Sequence, residues 1–179
     1  VRGEGGIFFR DYECDRYPLT LRHVLSMTAN GVPGTRFLYN PPSYSWASRP
    51  MAQVSGTPFS ELTATEVFAP AGMTHSARIH RRLPLPPVLS SQLATPYHVD
   101  STGRVVPSDL PPPQGDGAAG GIISTVMDLA RFDVALTEDR LLAPVSRLAM
   151  WSAGRSPSGA VLPYGLGWFV QEYDDEPLL

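Results

Sequence analysis

At 179 residues the chain is long enough to bury one core of ordinary size, and its 42% hydrophobic and 17% charged residues fit a globular protein rather than a disordered tail. A formal net charge of -3, with the arginines scattered, excludes a basic face built for nucleic acid. No apolar run reaches the roughly 20 residues of a membrane-spanning helix.

The basic residues number 14, and every one is an arginine. Schiff-base, P-loop and lysine general-base chemistry therefore cannot come from these residues. Cys14 stands alone, which excludes an intrachain disulfide and a cysteine metal cluster. Val1-Arg2-Gly3-Glu4 has neither an initiator Met nor an apolar signal segment, so processing or truncation is expected to have placed Val1 first.

Taken in chain order, residues 1–18 read as extended or irregular. Thr20 is placed to cap a short helix carrying Leu21, Val24 and Leu25. Asn30-Gly31 and Pro33-Gly34 turn the chain. A second helix is expected over Tyr44–Ser55, kinked or started by Pro50 and stopped by Gly56. Thr57-Pro58 then caps a third, with Phe59 and Leu62 facing inward.

Residues 81–117 are rich in proline and read as a surface excursion with at most one short strand near Pro96–Val106. Thr125 with Asp128 predicts a capping-box-like start, followed by an apolar helical stripe of Val126, Leu129, Phe132 and Leu136. Pro144 opens a further short helix with Val145 and Leu148. Tyr164, Leu166, Trp168 and Val170 alternate with Gly165, Gly167 and Phe169, which is strand periodicity.

Five segments in this order resemble the serine β-lactamase and penicillin-binding-protein superfamily, in its class C-like branch. Pro18-Leu19-Thr20-Leu21-Arg22-His23-Val24-Leu25-Ser26 is similar to the helix before the active-site tyrosine loop, and Pro33-Gly34-Thr35-Arg36-Phe37-Leu38-Tyr39-Asn40 to the family's PGxxFxYSN stretch. Val54-Ser55-Gly56-Thr57-Pro58-Phe59, running to Pro70-Ala71-Gly72-Met73, resembles the SGxxF…PLGM helix pair. Ala119-Gly120-Gly121-Ile122-Ile123-Ser124-Thr125 with Asp128-Leu129-Ala130-Arg131-Phe132 resembles AGGLxSTxxDLARF, and Tyr164-Gly165-Leu166-Gly167-Trp168 matches YGLGW.

The resemblance implies an α+β domain of the β-lactamase/DD-peptidase type. Within it, 1–179 forms a partial domain: about 1–150 most of the helical subdomain, with the excursion 81–117, and about 160–179 the first returning strand of the antiparallel sheet. It also implies acyl transfer through a serine ester, with a lysine three residues after the nucleophile, a tyrosine that moves the proton, and a Lys/His-x-Gly strand facing them. Tyr39 occupies the position of that tyrosine and is the candidate catalytic residue. A phenol with an intrinsic pKa of about 10 serves as a base near neutrality only beside positive charge.

Pro41 stands where the family has its asparagine, and Asn40 is the candidate to take that substrate-binding role if the loop is re-registered. The family's Ser-x-x-Lys and Lys/His-x-Gly motifs are missing, which reads as a fragment of a serine hydrolase acting on an ester or amide, inactive as an isolated chain. The alternative is a non-catalytic homologue that binds a peptide, a cell-wall fragment or a protein partner, and Pro41 is the feature that favours it. The implied partner is a small-molecule or peptide substrate, with no cofactor, metal, nucleic acid or membrane span. Family members are often exported in bacteria, so a periplasmic or exported location is the family's expectation.

Other candidates have plainer explanations. Gly154-Arg155-Ser156-Pro157-Ser158-Gly159 offers GxSxxG rather than the GxSxG elbow and reads as a surface loop. His23, His75, His80 and His98 have no metal-ligand spacing. Gly117–Gly121 lacks the Lys-Ser/Thr end of a phosphate loop and reads as a tight helix entry. Trp46, Trp151 and Trp168 read as packing aromatics, and Asp174-Asp175-Glu176 as a solvated turn.

Overall fold

A computed structural model describes residues 17–79, 85–109, 117–174 and the backbone of 176–178. Cys14, His80 and the Pro111-Pro112-Pro113 run lie outside the described residues, as does the start of the chain. Thr20, in extended backbone, starts α1 (Leu21–Leu25). Its hydroxyl accepts from the His23 amide at 3.3 Å while His23 Nδ1 accepts from the Thr20 amide at 3.3 Å. This reciprocal cap uses histidine where glutamate or glutamine is usual.

Helix α2 (Pro41–Ser55) begins three residues before the expected Tyr44, because Pro41 and Pro42 occupy the first turn, where an amide has no helical partner to lose. Pro50 lies inside α2 rather than at its start, and Gly56 ends it at φ 71°. Thr57 makes no cap. The cap position of α3 (Phe59–Thr63) is Pro58, and α3 runs through a π turn (Ala64–Phe68) into α4 (Ala69–Ala71), which ends at Gly72 with φ 72°. Phe59 and Leu62 are half-buried, while Ser60 and Thr63 are buried.

Strand β1 (Ala77–Arg78) pairs antiparallel with β4 (Ile122–Ile123). Between them, the excursion holds α5 (Pro87–Ser90) and a hairpin of β2 (Tyr97–Val99) and β3 (Val105–Pro107), where a single strand was expected. The hairpin turns on Asp100, whose Oδ1 accepts from the Thr102 amide (2.8 Å) and hydroxyl (2.6 Å) and the Arg104 amide (3.0 Å). The turn, not propensity, doubles the strand.

In α6 (Val126–Thr137) the Thr125 hydroxyl accepts from the Asp128 amide at 3.1 Å, but the Asp128 carboxylate does not reciprocate. It turns inward and accepts from the His75 amide (2.7 Å), the Ser76 hydroxyl (2.8 Å) and Arg131 (2.6 Å). That anchor sets the rotation of the helix. Residues 128, 132, 135 and 136 share the inward face, whereas Val126 is 82% and Leu129 55% exposed, so the expected stripe is only half right.

Among the described residues, two clusters form the core. Val24, Ala29 and Ala47 pack with Leu19, Leu25, Tyr44 and Trp46 where α1 meets α2, and Phe68, Ala71, Met73 and Ala135 pack with Phe132 and Leu141 where α4 meets α6. Helix α7 (Pro144–Met150) starts on Pro144 as expected. Strands β5 (Gly154–Arg155) and β6 (Val161–Leu162) form a hairpin around Ser156, which is buried, pairs with the Ser158 hydroxyl at 2.8 Å and accepts from the Ala160 amide at 3.1 Å. That serine is closed on its own loop.

The strand expected over Tyr164–Val170 is instead a tight reversal. Only a single bridge, Tyr164 to Phe169, spans it, and Gly167 takes φ 92°. The alternation of side chains arises from the two arms of a turn. Strands β7 (Gln171–Tyr173) and β8 (Glu176–Leu178) follow, reversing at Asp174 with φ 50°. The result is an α+β arrangement of helices and small antiparallel pairs.

Candidate active site

Tyr39 stands between the turns that follow α1 and the first residue of α2. The Leu38 amide donates to the Met27 carbonyl at 2.9 Å and the Asn40 amide to Met27 Sδ at 3.3 Å, so the segment is fastened on both sides of Tyr39. Its side chain remains 55% exposed. The phenol is therefore free to meet an approaching group.

Beneath it lies an aromatic corner. The Tyr39 ring sits 5.7 Å from Phe169 and 6.5 Å from Tyr164, and those two meet edge-on at 4.9 Å. Phe37 stacks on Tyr164 at 5.4 Å and meets Phe169 at 5.8 Å. The corner exists because the 164–169 reversal is pressed onto α1 and α7. Gly165 allows that approach, since a Cβ there would lie 2.1 Å from the Met150 carbonyl oxygen. The Leu166 amide donates to that same carbonyl, and the Gly167 amide to the Leu25 carbonyl, both at 3.0 Å.

Tyr44, one turn into α2, donates its hydroxyl to the Leu25 carbonyl at 2.6 Å. Burial, then the neighbouring Tyr164 and Tyr39, push the Tyr44 phenol far above its ordinary value. Burial likewise raises Tyr164. Both stay protonated at any physiological pH.

Asn40 goes elsewhere. Its Nδ2 donates to Oδ1 of Asn30 at 3.1 Å, and Asn30 is only 2% exposed. Its backbone carbonyl accepts from the Ser43 hydroxyl at 2.7 Å, at the start of α2. The two candidates from sequence are adjacent in the chain but face different surroundings, Tyr39 exposed and Asn40 half-buried against Asn30. Pro41 is the first residue of the helix and presents no amide.

Beside the aromatic corner a cavity of about 430 Å³ opens between α1 and the β5–β6 hairpin, with Arg22, His23, Ser26, Arg155 and Tyr164 on its walls. Burial lowers the His23 pKa below 6.5, in keeping with a ring nitrogen that accepts the Thr20 amide. Gly117–Gly121 wraps a cation rather than an anion: Arg78 donates to the carbonyls of Gly117 and Gly120, and its guanidinium lies 5.4 Å from the Phe59 ring. Trp151 and Trp168 meet edge-on at 6.1 Å, a packing contact. No group of three or more metal-ligating side chains occurs among the described residues, and no described helix is long and apolar enough to cross a membrane.

Sequence reasoning singled out Tyr39 but missed Tyr44, Tyr164 and Phe169 as its neighbours. Only the glycines of Tyr164-Gly165-Leu166-Gly167-Trp168 hinted at a close approach, and the alternation disguised it as a strand.

The family model described as Beta-lactamase matches residues 10–178. Penicillin-binding protein 4* of Bacillus subtilis (strain 168) is 28% identical over 93% of the chain, and the chain spans 39% of that relative's length. Among solved structures, a penicillin-binding protein from Bacillus halodurans superposes with a TM-score of 0.66 at 23% identity, over 91% of this chain and 51% of that one. The D-amino acid amidase from Ochrobactrum anthropi gives 0.65 at 23%, over 84% of this chain and 45% of that one. Simvastatin synthase (LovD) from Aspergillus terreus gives 0.70 at 17%, over 87% and 53%.

Proposed function

The chain belongs to the beta-lactamase family, and we propose that it forms the tyrosine-bearing wall of a serine hydrolase that cleaves an ester or amide through an acyl-enzyme. The observation that carries this is the Tyr39 phenol, held by backbone on both sides and by aromatic rings beneath, yet left open to an approaching group. The amidase and penicillin-binding proteins among the similar proteins support a hydrolase acting on acyl compounds.

In this reading Tyr39 takes the proton from the attacking serine hydroxyl and returns it to the leaving group. The phenol works near neutral pH only beside a cation. The 179 residues contain no lysine; in this reading the Ser-x-x-Lys pair is supplied from outside them, and residues 1–179 alone are expected to form no acyl-enzyme. Exported location and a small-molecule or peptide substrate are part of the same proposal.

The test is covalent labelling of the complete gene product by a fluorophosphonate or penicillin probe. Labelling is expected, and Tyr39→Phe slows it by about 10²-fold or more. Undiminished labelling of Tyr39→Phe overturns the role. A second reading, non-catalytic ligand binding, draws on Pro41 and on the inward turn of Asn40 to Asn30. Tight penicillin or peptide binding without covalent labelling supports that reading instead.

A further inference from the structure

Helix α1 ends on a residue that the local rules do not favour. The Thr28 amide donates to the His23 carbonyl at 2.9 Å and the Met27 amide to the Val24 carbonyl at 3.1 Å, the paired bonds of a Schellman turn. The residue just past the cap of such a turn takes left-handed backbone, which glycine fills at least cost and asparagine next. Here it is Met27, at φ 54° and only 4% exposed. A buried, unbranched apolar side chain gains nothing locally from that conformation.

Its gain lies further along the chain. The Asn40 amide donates to Met27 Sδ at 3.3 Å, and the Leu38 amide donates to the Met27 carbonyl at 2.9 Å. One residue thus grips the chain at Leu38 and at Asn40, and the residue between them is Tyr39. Continued in helical backbone, Met27 would aim its carbonyl along the axis of α1 instead. The left-handed turn brings the carbonyl and the thioether to the same segment. The Phe169 and Tyr164 rings bound the phenol from below, while this clamp fixes the backbone from which the phenol extends.

We propose that Met27 is a positioning residue for Tyr39: its carbonyl and thioether hold the chain on both sides of the phenol and set the direction in which the open ring points. The proposal rests on the reading of Tyr39 as the proton-transfer group. A thioether is a weak acceptor, so the sulfur contributes direction more than stability.

The experiment uses the complete gene product with a chromogenic ester, in Met27→Leu and Met27→Gly variants, each with and without Tyr39→Phe. Leucine keeps the apolar volume and removes the sulfur. Glycine removes the side chain but suits the left-handed turn, so the two variants disturb the fold in different ways. Both are expected to lower kcat about tenfold with KM unchanged. Hydrogen exchange of the Asn40 amide quickens about tenfold or more in both, whereas the Leu38 amide of Met27→Leu keeps its rate. In the Tyr39→Phe background neither Met27 variant lowers the residual rate further, because the group it positions is gone. Wild-type kcat or an unchanged Asn40 exchange rate in both Met27 variants, or the same tenfold loss with Tyr39→Phe present, overturns the positioning role alone. Full activity in Tyr39→Phe, or no turnover by the wild type, overturns the catalytic reading and this proposal with it.

Discussion

Two polar regions of the molecule solve opposite problems. At the joint between α4 and α6, Asp128 is fully buried and each carboxylate oxygen is used, by the His75 amide, the Ser76 hydroxyl and Arg131. Burial there opposes the charged form, but hydrogen bonds from Ser76, His75 and Arg131 outweigh it and hold the carboxyl below its ordinary value. At the aromatic corner the Tyr44 hydroxyl is tied to the Leu25 carbonyl, yet the outermost phenol, Tyr39, is left open. We expect a saturated network to act as a joint and a network with one open member to offer a site.

If that contrast is right, the joint is the more expensive to break. Asp128→Ala orphans the His75 amide and removes the anchor of α6. It is expected to cost about 3 kcal/mol, read as a loss of about 10 °C in Tm. A melt unchanged from wild type would show that packing alone sets the rotation of the helix.

The aromatic corner depends on backbone as much as on rings. Gly167→Ala forces a side chain onto φ 92° and should destabilise by about 1–2 kcal/mol in urea unfolding. The ring current shifts of Tyr39 should move with it, whereas Asp128→Ala leaves them in place. Shifts in both variants would merge the two regions into one unit.

The two regions also separate by pH. His23 has a folded pKa lowered by burial, so the folded state binds its proton less readily than the unfolded chain. Its contribution is present above about pH 6.5 and is lost as the pH falls through the depressed value. Asp128, also depressed, gives up its contribution only below about pH 4. Amide exchange is expected to loosen α1, and the carbonyl that Tyr44 and Gly167 share, before it loosens α6. Simultaneous loosening would refute the order.

The smallest effect is at Tyr39 itself. With half of the side chain exposed and no hydrogen bond of its hydroxyl among those described, Tyr39→Phe should change stability by less than about 0.5 kcal/mol in the same urea titration. A large loss would move Tyr39 from the open site to the structural network.

Much of this was legible in the sequence where a rule acts over a few residues. Thr20 and Thr125 cap helices, Pro144 opens one and Gly56 closes one, because caps and special φ values are local needs. Local rules failed where a distant partner intervened. Asp128 was expected to face its own helix start and instead reaches back 53 residues to His75. The alternation in Tyr164–Val170 was a sound strand pattern, and the contact of Gly165 with Met150 turned it into a reversal.

By itself, then, the sequence determined the family, the helix boundaries at Thr20, Gly56, Thr125 and Pro144, and the likeness of the segment holding Tyr39 to a family motif. It also determined that none of the 179 residues is a lysine. Only tertiary structure decided which face of α6 is inside, that Asn40 turns to Asn30, and that Tyr164 and Tyr44 stand behind Tyr39. The division has one physical cause: a cap is chosen by the energy of its own few backbone groups, whereas burial and hydrogen-bond direction depend on which remote groups arrive to accept or exclude them.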